Sequence, residues 1–427
     1  MDNVTDIVDE LRWRGVLAQT TDEEALRKAL ADGPLTLYCG FDPTAKSLHV
    51  GHLTQILALR RFQLAGHRPI ALVGGATGLI GDPKPSAERA LNDVETVQEW
   101  VGALRGQLSA FLDFDTPGPT QAVMANNYEW TESVSALSLL RDYGKHFSVN
   151  QMLARDTVKS RLDGEGMSYT EFSYVILQSL DFLELYKQYG CTLQIGGSDQ
   201  WGNITAGLDL IRRMQANQPH GPAHALTQVL LTKADGTKFG KTEGGAVWLD
   251  PELTTPYAFY QFWLNSDDRD IARYLRTFSF KPREEIEELE RATEERPQAR
   301  AAQRALAEEL TALVHGADQC AAVIAASKAL FGQGDLDGLD EATLAAALSE
   351  LPKAQVSELA PVADLLALVE LVPSKSAARR TIKEGGAYLN NAKVTSEEAV
   401  PAASDLIHGR WLVLRRGKRN LGAVELV

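Results

Sequence analysis

Cysteine is scarce in this chain of 427 residues: its three, Cys39, Cys191 and Cys320, lie more than a hundred residues apart. That spacing draws neither a disulfide framework nor a Cys-x-x-Cys metal site. No run of eighteen apolar residues occurs, so no membrane-spanning helix is expected. The first residues, Met1 to Asp6, carry acid where a secretory or organellar leader carries base and then apolar residues, and a cytoplasmic location is expected. Basic charge is also short, with 43 Lys and Arg against 57 Asp and Glu; a net charge of −14 argues at first against a polyanionic partner. What is present is ordinary globular composition, 44% hydrophobic and 23% charged. It excludes disorder as the main state, and the length suits two or three domains.

The charge deficit is uneven. Between 371 and 420, ten basic residues (Lys375, Arg379, Arg380, Lys383, Lys393, Arg410, Arg415, Arg416, Lys418, Arg419) face four acidic ones (Glu384, Glu397, Glu398, Asp405). That segment is +6 and the remainder −20. A basic end on an acidic body is expected where one small module handles a polyanion and the rest carries out chemistry.

The first third alternates short apolar runs with helix-period segments: a strand at Leu35 to Phe41, a helix at Leu53 to Leu64, and a strand at Pro69 to Val73. Such a βαβ unit implies a parallel sheet. A second alternation runs from a helix at Thr170 to Tyr189, through Cys191 to Ile195, into a helix beginning near Asp199. Beyond Pro256 charged, Ala-rich helical stretches such as Glu284 to Glu295 take over. Three glycines within Phe331 to Gly338 read as a linker, and a compact basic α+β module follows.

Between the first strand and its helix lies Asp42-Pro43-Thr44-Ala45-Lys46-Ser47-Leu48-His49-Val50-Gly51-His52. A strand-to-helix crossing puts this loop at the carboxyl edge of a parallel sheet, where open α/β folds bind ligands and a helix N-terminus favours anions. Imidazoles there can donate to phosphate, and the glycine lets a base approach the backbone. Lys238-Phe239-Gly240-Lys241-Thr242 has the makeup of a mobile phosphate clamp, although a solvated Lys-rich loop is the commoner occurrence of such a segment alone. On the helix Thr170 to Tyr189, the polar Tyr174, Gln178 and Asp181 share one face among apolar neighbours. Buried polar groups require partners, from a ligand or from neighbouring strands.

Taken in order, Asp42 to His52, Gly74 to Pro83, Gly196-Gly197-Ser198-Asp199-Gln200-Trp201-Gly202-Asn203-Ile204 and Lys238 to Thr242 closely resemble the bacterial tyrosyl-tRNA synthetases, class I aminoacyl-tRNA synthetases. The class motifs HIGH and KMSKS stand here as His-Val-Gly-His and Lys-Phe-Gly-Lys-Thr, the second keeping both lysines and lacking the Met and the middle Ser. The basic loop after Asp82-Pro83, with Lys84, Pro85, Ser86 and Arg89, is shorter than the resemblance leads one to expect and is left unaligned. The resemblance implies an α/β fold: a Rossmann-like catalytic domain over 1–225, the lysine loop and a helical domain over 226–331, a linker over 332–360, and an S4-like RNA-binding domain over 361–427.

The resemblance also implies roles. Tyr174, Gln178 and Asp82 would hold the ammonium of tyrosine; Tyr38 and Asp181 its phenol; Gln194 and Gln200 would complete that network. Cys39, Gly40, Asp42, Gly51, Gly196 and Asp199 would bind ATP, with Asp42 as helix cap and Cys39 as core residue the plain alternatives. Thr44, His49, Lys238 and Lys241 would stabilise charge on the leaving pyrophosphate, and His52, the second motif histidine, would seat the adenosine with Gly51. Implied partners are L-tyrosine, ATP, tRNA(Tyr) and a second copy of the chain, with Mg²⁺ arriving on ATP and no tightly bound cofactor or protein metal site.

In the basic module, Lys375, Arg379 and Lys383 recur every fourth residue opposite Ala378 and Ile382, ahead of strands at Ala387 to Asn390 and Trp411 to Leu414. Such a stripe alone is commonly a solvated helix face; with the +6 segment around it, RNA binding is the expectation. Two other readings remain: an RNA-binding protein that keeps a synthetase body, which the intact motif residues disfavour, and an adenylyl-forming ligase, which needs no RNA module.

Overall fold

The alternation in the first third becomes a six-stranded sheet in the computed structural model, which describes residues 6–83, 91–164, 166–215, 217, 219–237, 239–242 and 245–427. Its strands are β1 (Leu17–Thr20), β2 (Thr36–Phe41), β3 (Arg68–Val73), β4 (Val123–Asn126), β5 (Cys191–Gly197) and β6 (His224–Gln228). They lie in the order β1-β6-β5-β2-β3-β4. All pairs are parallel except β1 against β6. Every residue of β5 and β6 is buried, as expected of parallel strands covered on both faces. From β2 the chain steps outward through β3 and β4, then returns to lay β5 and β6 on the other side of β2. The carboxyl ends of β2 and β5 therefore flank the point where the winding reverses, which opens a crevice.

Two helices matter most to that crevice. Leu53–Leu64 buries Leu53, Ile56, Leu57 and Phe62 against the sheet. Tyr169–Tyr189 begins at Ser168, whose side chain accepts from the Glu171 amide, and ends at Gly190, whose φ of 62° is a left-handed conformation that glycine adopts without strain.

By contacts the chain divides into two units, one made of residues up to Asp250 with Asp267–Ala302, the other of Pro251–Ser266 with Gln303–Val427. Residues 226–250, read from sequence with the helical region, make their contacts in the sheet unit. In the second unit, helices such as Ala317–Leu330 accompany a five-stranded sheet. Its strands are β9 (Lys353–Val356), β10 (Ala387–Leu389), β11 (Ala392–Lys393), β12 (Trp411–Arg416) and β13 (Asn420–Leu426); β7 (Lys241–Thr242) and β8 (Gly245–Ala246) form a separate hairpin in the first unit. The sheet packs on Leu365, Leu366, Ala378 and Ile382 of two helices.

The stretch 332–360, expected as a linker, holds the helix Glu341–Ser349 and β9, which pairs in parallel with β13. Glycine density marks only the turn at its start; the alanine-rich run behind it is a helix. Among the described residues no helix is long and apolar enough to cross a membrane.

Candidate active site

At the β2 and β5 carboxyl ends the first unit encloses a cavity of about 580 Å³. Every expected residue of the amino-acid and nucleotide sets lines it: Tyr38, Cys39, Gly40, Asp42, Gly51, Asp82, Tyr174, Gln178, Asp181, Gln194, Gly196, Asp199 and Gln200. So do Thr44, His49 and His52. Lys238 lies outside the described residues, as do Lys84 to Arg89, while Lys241 opens the two-residue strand β7.

Asp181 sits at the floor, 2% exposed. Its Oδ1 accepts from Trp130 Nε1 at 2.9 Å and its Oδ2 from Asn127 Nδ2 at 2.9 Å. Burial pushes its pKa up to about 7 against the pull of those two donors. Nearby, the Tyr38 hydroxyl is buried with no hydrogen-bond partner among the described residues, and burial together with the Asp181 charge raises its pKa. The side-chain carbonyls of Gln178 and Gln194 are likewise buried and unpartnered. A buried polar atom left unpaired costs about 1–3 kcal/mol, so a ligand that pairs several of them at once is bound with corresponding preference.

Two further carboxylates stand above. Asp42 accepts from Tyr174 Oη at 2.7 Å and Thr77 Oγ1 at 2.6 Å, tying the end of β2 to the Tyr169–Tyr189 helix. The N-cap of the 3₁₀ turn Val50–His52 is His49, not Asp42. Asp82 accepts from Gln200 Nε2 at 2.8 Å and Asn203 Nδ2 at 3.2 Å. Burial raises the Asp82 pKa, the two amides oppose that, and the charges of Asp42 and Asp199 add to it. Carboxylates in such a setting favour a cationic group. Cys39 is a buried thiol on the wall, pushed up to about 12 by burial and therefore not a nucleophile.

The two histidines form a reciprocal cap. His49 Nδ1 accepts from the Gly51 amide at 3.0 Å, and His52 Nδ1 accepts from the His49 amide at 3.1 Å. With Nδ1 occupied as acceptor, a neutral ring carries its proton on Nε2. His52 is held neutral, its pKa driven down to about 3 by burial and then by His49. Gly51 is required by this cap: an added β-carbon would stand 2.7 Å from His49 Cε1.

Phe239 and Gly240 are anchored beside it. Phe239 is buried, with its ring 5.4 Å from Phe278 in a stacked arrangement and 5.0 Å from Tyr274. Gly240 has φ +81°, and a β-carbon there would lie 2.9 Å from Val50 Cγ2 and 3.3 Å from the Gly51 nitrogen. The departures from the class pattern at 239 and 240 thus have local causes, an aromatic slot and a close backbone approach.

Sequence reasoning missed Thr77, Asn127, Trp130 and Asn203, which donate to the carboxylates, and Arg155, which donates to Asn203. The one available signal was Asn126-Asn127 at the end of an apolar run, where a parallel strand delivers side chains to the crevice. In the second unit, Lys375, Arg379 and Lys383 are exposed while Ala378 and Ile382 are buried, so the helix Lys375–Lys383 presents its cations outward. Lys375 also pairs with Asp364 at 2.8 Å.

Residues 30–332 match the family model of class I tRNA synthetases (W and Y), and residues 343–424 that of the tyrosine–tRNA ligase SYY-like C-terminal domain. The chain is 72% identical to the tyrosine–tRNA ligase of Thermobifida fusca over 99% of its length and all of the relative's. It is also 72% identical to that of Streptomyces coelicolor, covering 99% of both chains. Among solved structures, a C-terminally truncated mitochondrial tyrosyl-tRNA synthetase from Coccidioides posadasii superposes with a TM-score of 0.65 at 32% identity, covering 75% of this chain and 91% of that one.

Proposed function

The chain belongs to the tyrosine–tRNA ligases of the class I aminoacyl-tRNA synthetases, and from that premise we propose how its pocket performs their reaction. Tyrosine is activated with ATP to tyrosyl-adenylate and pyrophosphate, and the tyrosyl group is then transferred to the 3′-terminal adenosine of tRNA(Tyr). The substrate carboxylate attacks the α-phosphorus; a ribose hydroxyl of tRNA then attacks the adenylate carbonyl, releasing AMP. Both nucleophiles arrive with the substrates, so the protein's part is positioning and charge stabilisation.

The observation that carries this reading is the floor of the cavity. The Asp181 carboxylate has one donor on each oxygen and acceptor capacity left beside the unpartnered Tyr38 hydroxyl. That pair accepts from and donates to one phenol. At the other end Asp82, Tyr174 and Gln178 would take the ammonium, with Gln194 and Gln200 completing the enclosure. Cys39, Gly40, Asp42, Gly51, Gly196 and Asp199 would seat the adenosine and ribose. Thr44 and the Nε2–H groups of His49 and His52 would meet the phosphates, joined by Lys238 and Lys241 as charge develops on pyrophosphate. Mg²⁺ would travel with the ATP phosphates.

The outward cations of Lys375, Arg379 and Lys383 fit a role on tRNA. A homodimer built through the first unit is proposed from the family resemblance, and Leu137, Leu140, Val149, Leu162 and Tyr169, all at least half exposed there, are apolar side chains that a second copy would cover. The cytoplasm, where tRNA is charged, is the proposed location. ATP–pyrophosphate exchange with each of the twenty amino acids tests the pocket: exchange that depends on tyrosine alone is expected, and equal exchange with phenylalanine would overturn it.

A further inference from the structure

Asp82 is not held by the ligand cavity alone. Behind it, Arg155 Nη2 donates to Asn203 Oδ1 at 2.7 Å. Asn203 Nδ2 then donates both to Asp82 Oδ1 at 3.2 Å and to Gln200 Oε1 at 2.9 Å, and Gln200 Nε2 closes the ring on Asp82 Oδ2 at 2.8 Å. An amide has one acceptor and one donor end. With its oxygen engaged by a guanidinium, Asn203 has its NH₂ turned to the carboxylate. The reversed amide would set oxygen against a carboxylate and NH₂ against a cation.

Space for this arrangement comes from Gly202, where an added β-carbon would stand 2.9 Å from Arg155 Nη2 and 3.1 Å from its Nε. Arg155 does not line the substrate cavity. It lines a second cavity of about 240 Å³ with Phe147, Met152, Gly202 and Asp209.

We propose that Arg155 is a positioning residue for the amino-acid site: packed against the Gly202 backbone, it fixes the Asn203 amide and thereby holds Asp82 and Gln200 in the geometry that receives a substrate ammonium. This rests on the reading above that the cavity takes an amino acid. The charged and titratable groups facing Asp82 include Asp42, Asp199 and the Tyr174 phenol on the cavity side and Arg155 across Asn203. The Arg155 cation interacts with the Asp82 charge and so offsets part of the negative field that, with burial, raises the Asp82 pKa.

Gly202→Ala is the sharpest perturbation, because it displaces the end of a flexible side chain without changing charge or touching the substrate cavity. Arg155→Ala removes the guanidinium, and the second cavity gives millimolar methylguanidinium a route to replace it. The measurement is tyrosine-dependent pyrophosphate exchange between pH 5.5 and 9 on the full chain. Both variants are expected to raise KM for tyrosine at least tenfold, leave kcat and KM for ATP within about threefold, and move the acid limb of kcat/KM to higher pH. Methylguanidinium should recover Arg155→Ala and not Gly202→Ala. KM for tyrosine within twofold of the unsubstituted chain, with an unmoved acid limb, would overturn the proposal; should Arg155→Ala not fold, Gly202→Ala decides alone. Absence of tyrosine-dependent exchange in the unsubstituted chain is a different failure, that of the pocket assignment.

Discussion

Asp181 carries a burden that only a hydrogen-bond donor can relieve, and pH sets its size. Its pKa rises from the ordinary 3.8 to about 7, a shift worth on the order of 4 kcal/mol against the ionised form in the empty pocket. The sign follows from the folded value being the higher one. The neutral acid favours the ligand-free fold fully below 3.8, and that contribution is lost as pH rises through about 7. Reading a phenol requires the opposite state, the carboxylate. The ratio of kcat/KM for tyrosine over phenylalanine in pyrophosphate exchange reports this, because kcat/KM follows the free enzyme's ionisation and the ratio cancels whatever pH does to ammonium, carboxylate and ATP.

With a pKa near 7 the ionised fraction falls roughly 30-fold between pH 8 and pH 5.5, and tyrosine preference should fall with it, about 2 kcal/mol. Trp130→Phe keeps an aromatic ring and removes one donor 2.9 Å from Asp181. A hydrogen bond to a charged group contributes about 1.5–3 kcal/mol, so the midpoint should move up by about one to two pH units. A ratio changing less than threefold from pH 5.5 to 8.5, or a midpoint that Trp130→Phe moves toward acid, would refute the reasoning.

Other perturbations separate the remaining parts. Lys238→Ala and Lys241→Ala should slow adenylate formation in single-turnover assays by tenfold or more while leaving the tyrosine Kd measured without ATP within about twofold, since transition-state contacts do not appear in ground-state binding. Gly51→Ala should force His49 from its cap and reduce kcat in exchange with little change in tyrosine affinity; an unchanged kcat would show that the cap does not position the ring. A chain ending at Leu351 keeps the helix Glu341–Ser349 and loses the +6 segment. It should still exchange pyrophosphate yet fail to charge tRNA at physiological salt, because each lost phosphate contact removes part of the counterion-release contribution. Charging with an unchanged salt slope would assign the basic module another task.

Much of the scaffold was legible because its signals are local. The helix expected at Leu53 to Leu64 spans those residues, and β2 and β5 fall within a residue or two of the apolar runs that announced them. Of the cavity-lining set, the strand-to-helix crossing pointed to the Asp42 to His52 loop and the shared helix face to Tyr174, Gln178 and Asp181; the other positions were legible only through the resemblance to the tyrosyl-tRNA synthetases. What escaped were residues that act through another residue. Asn127, Trp130 and Arg155 lie on short segments with no periodicity, and their partners, Asp181 and Asn203, are more than forty positions away. The segment 332–360 escaped for a different reason: β9 is a strand only because β13, about seventy residues later, offers it an edge.

Gly240 has a consequence for how this sequence can drift. Gly240 lies against Val50 and the Gly51 backbone with no room for a β-carbon, and the Phe239 ring is plugged between Tyr274 and Phe278. Positions 50, 51 and 240 therefore form one packing unit, with Phe239 as its neighbour in the chain. A serine restored at 240 toward the common class pattern meets Val50 and a left-handed backbone at once, so the reversion is open only alongside a smaller residue at 50 or a re-formed turn. A loop transplanted from a relative with the standard pattern would have to bring its histidine-side neighbours with it.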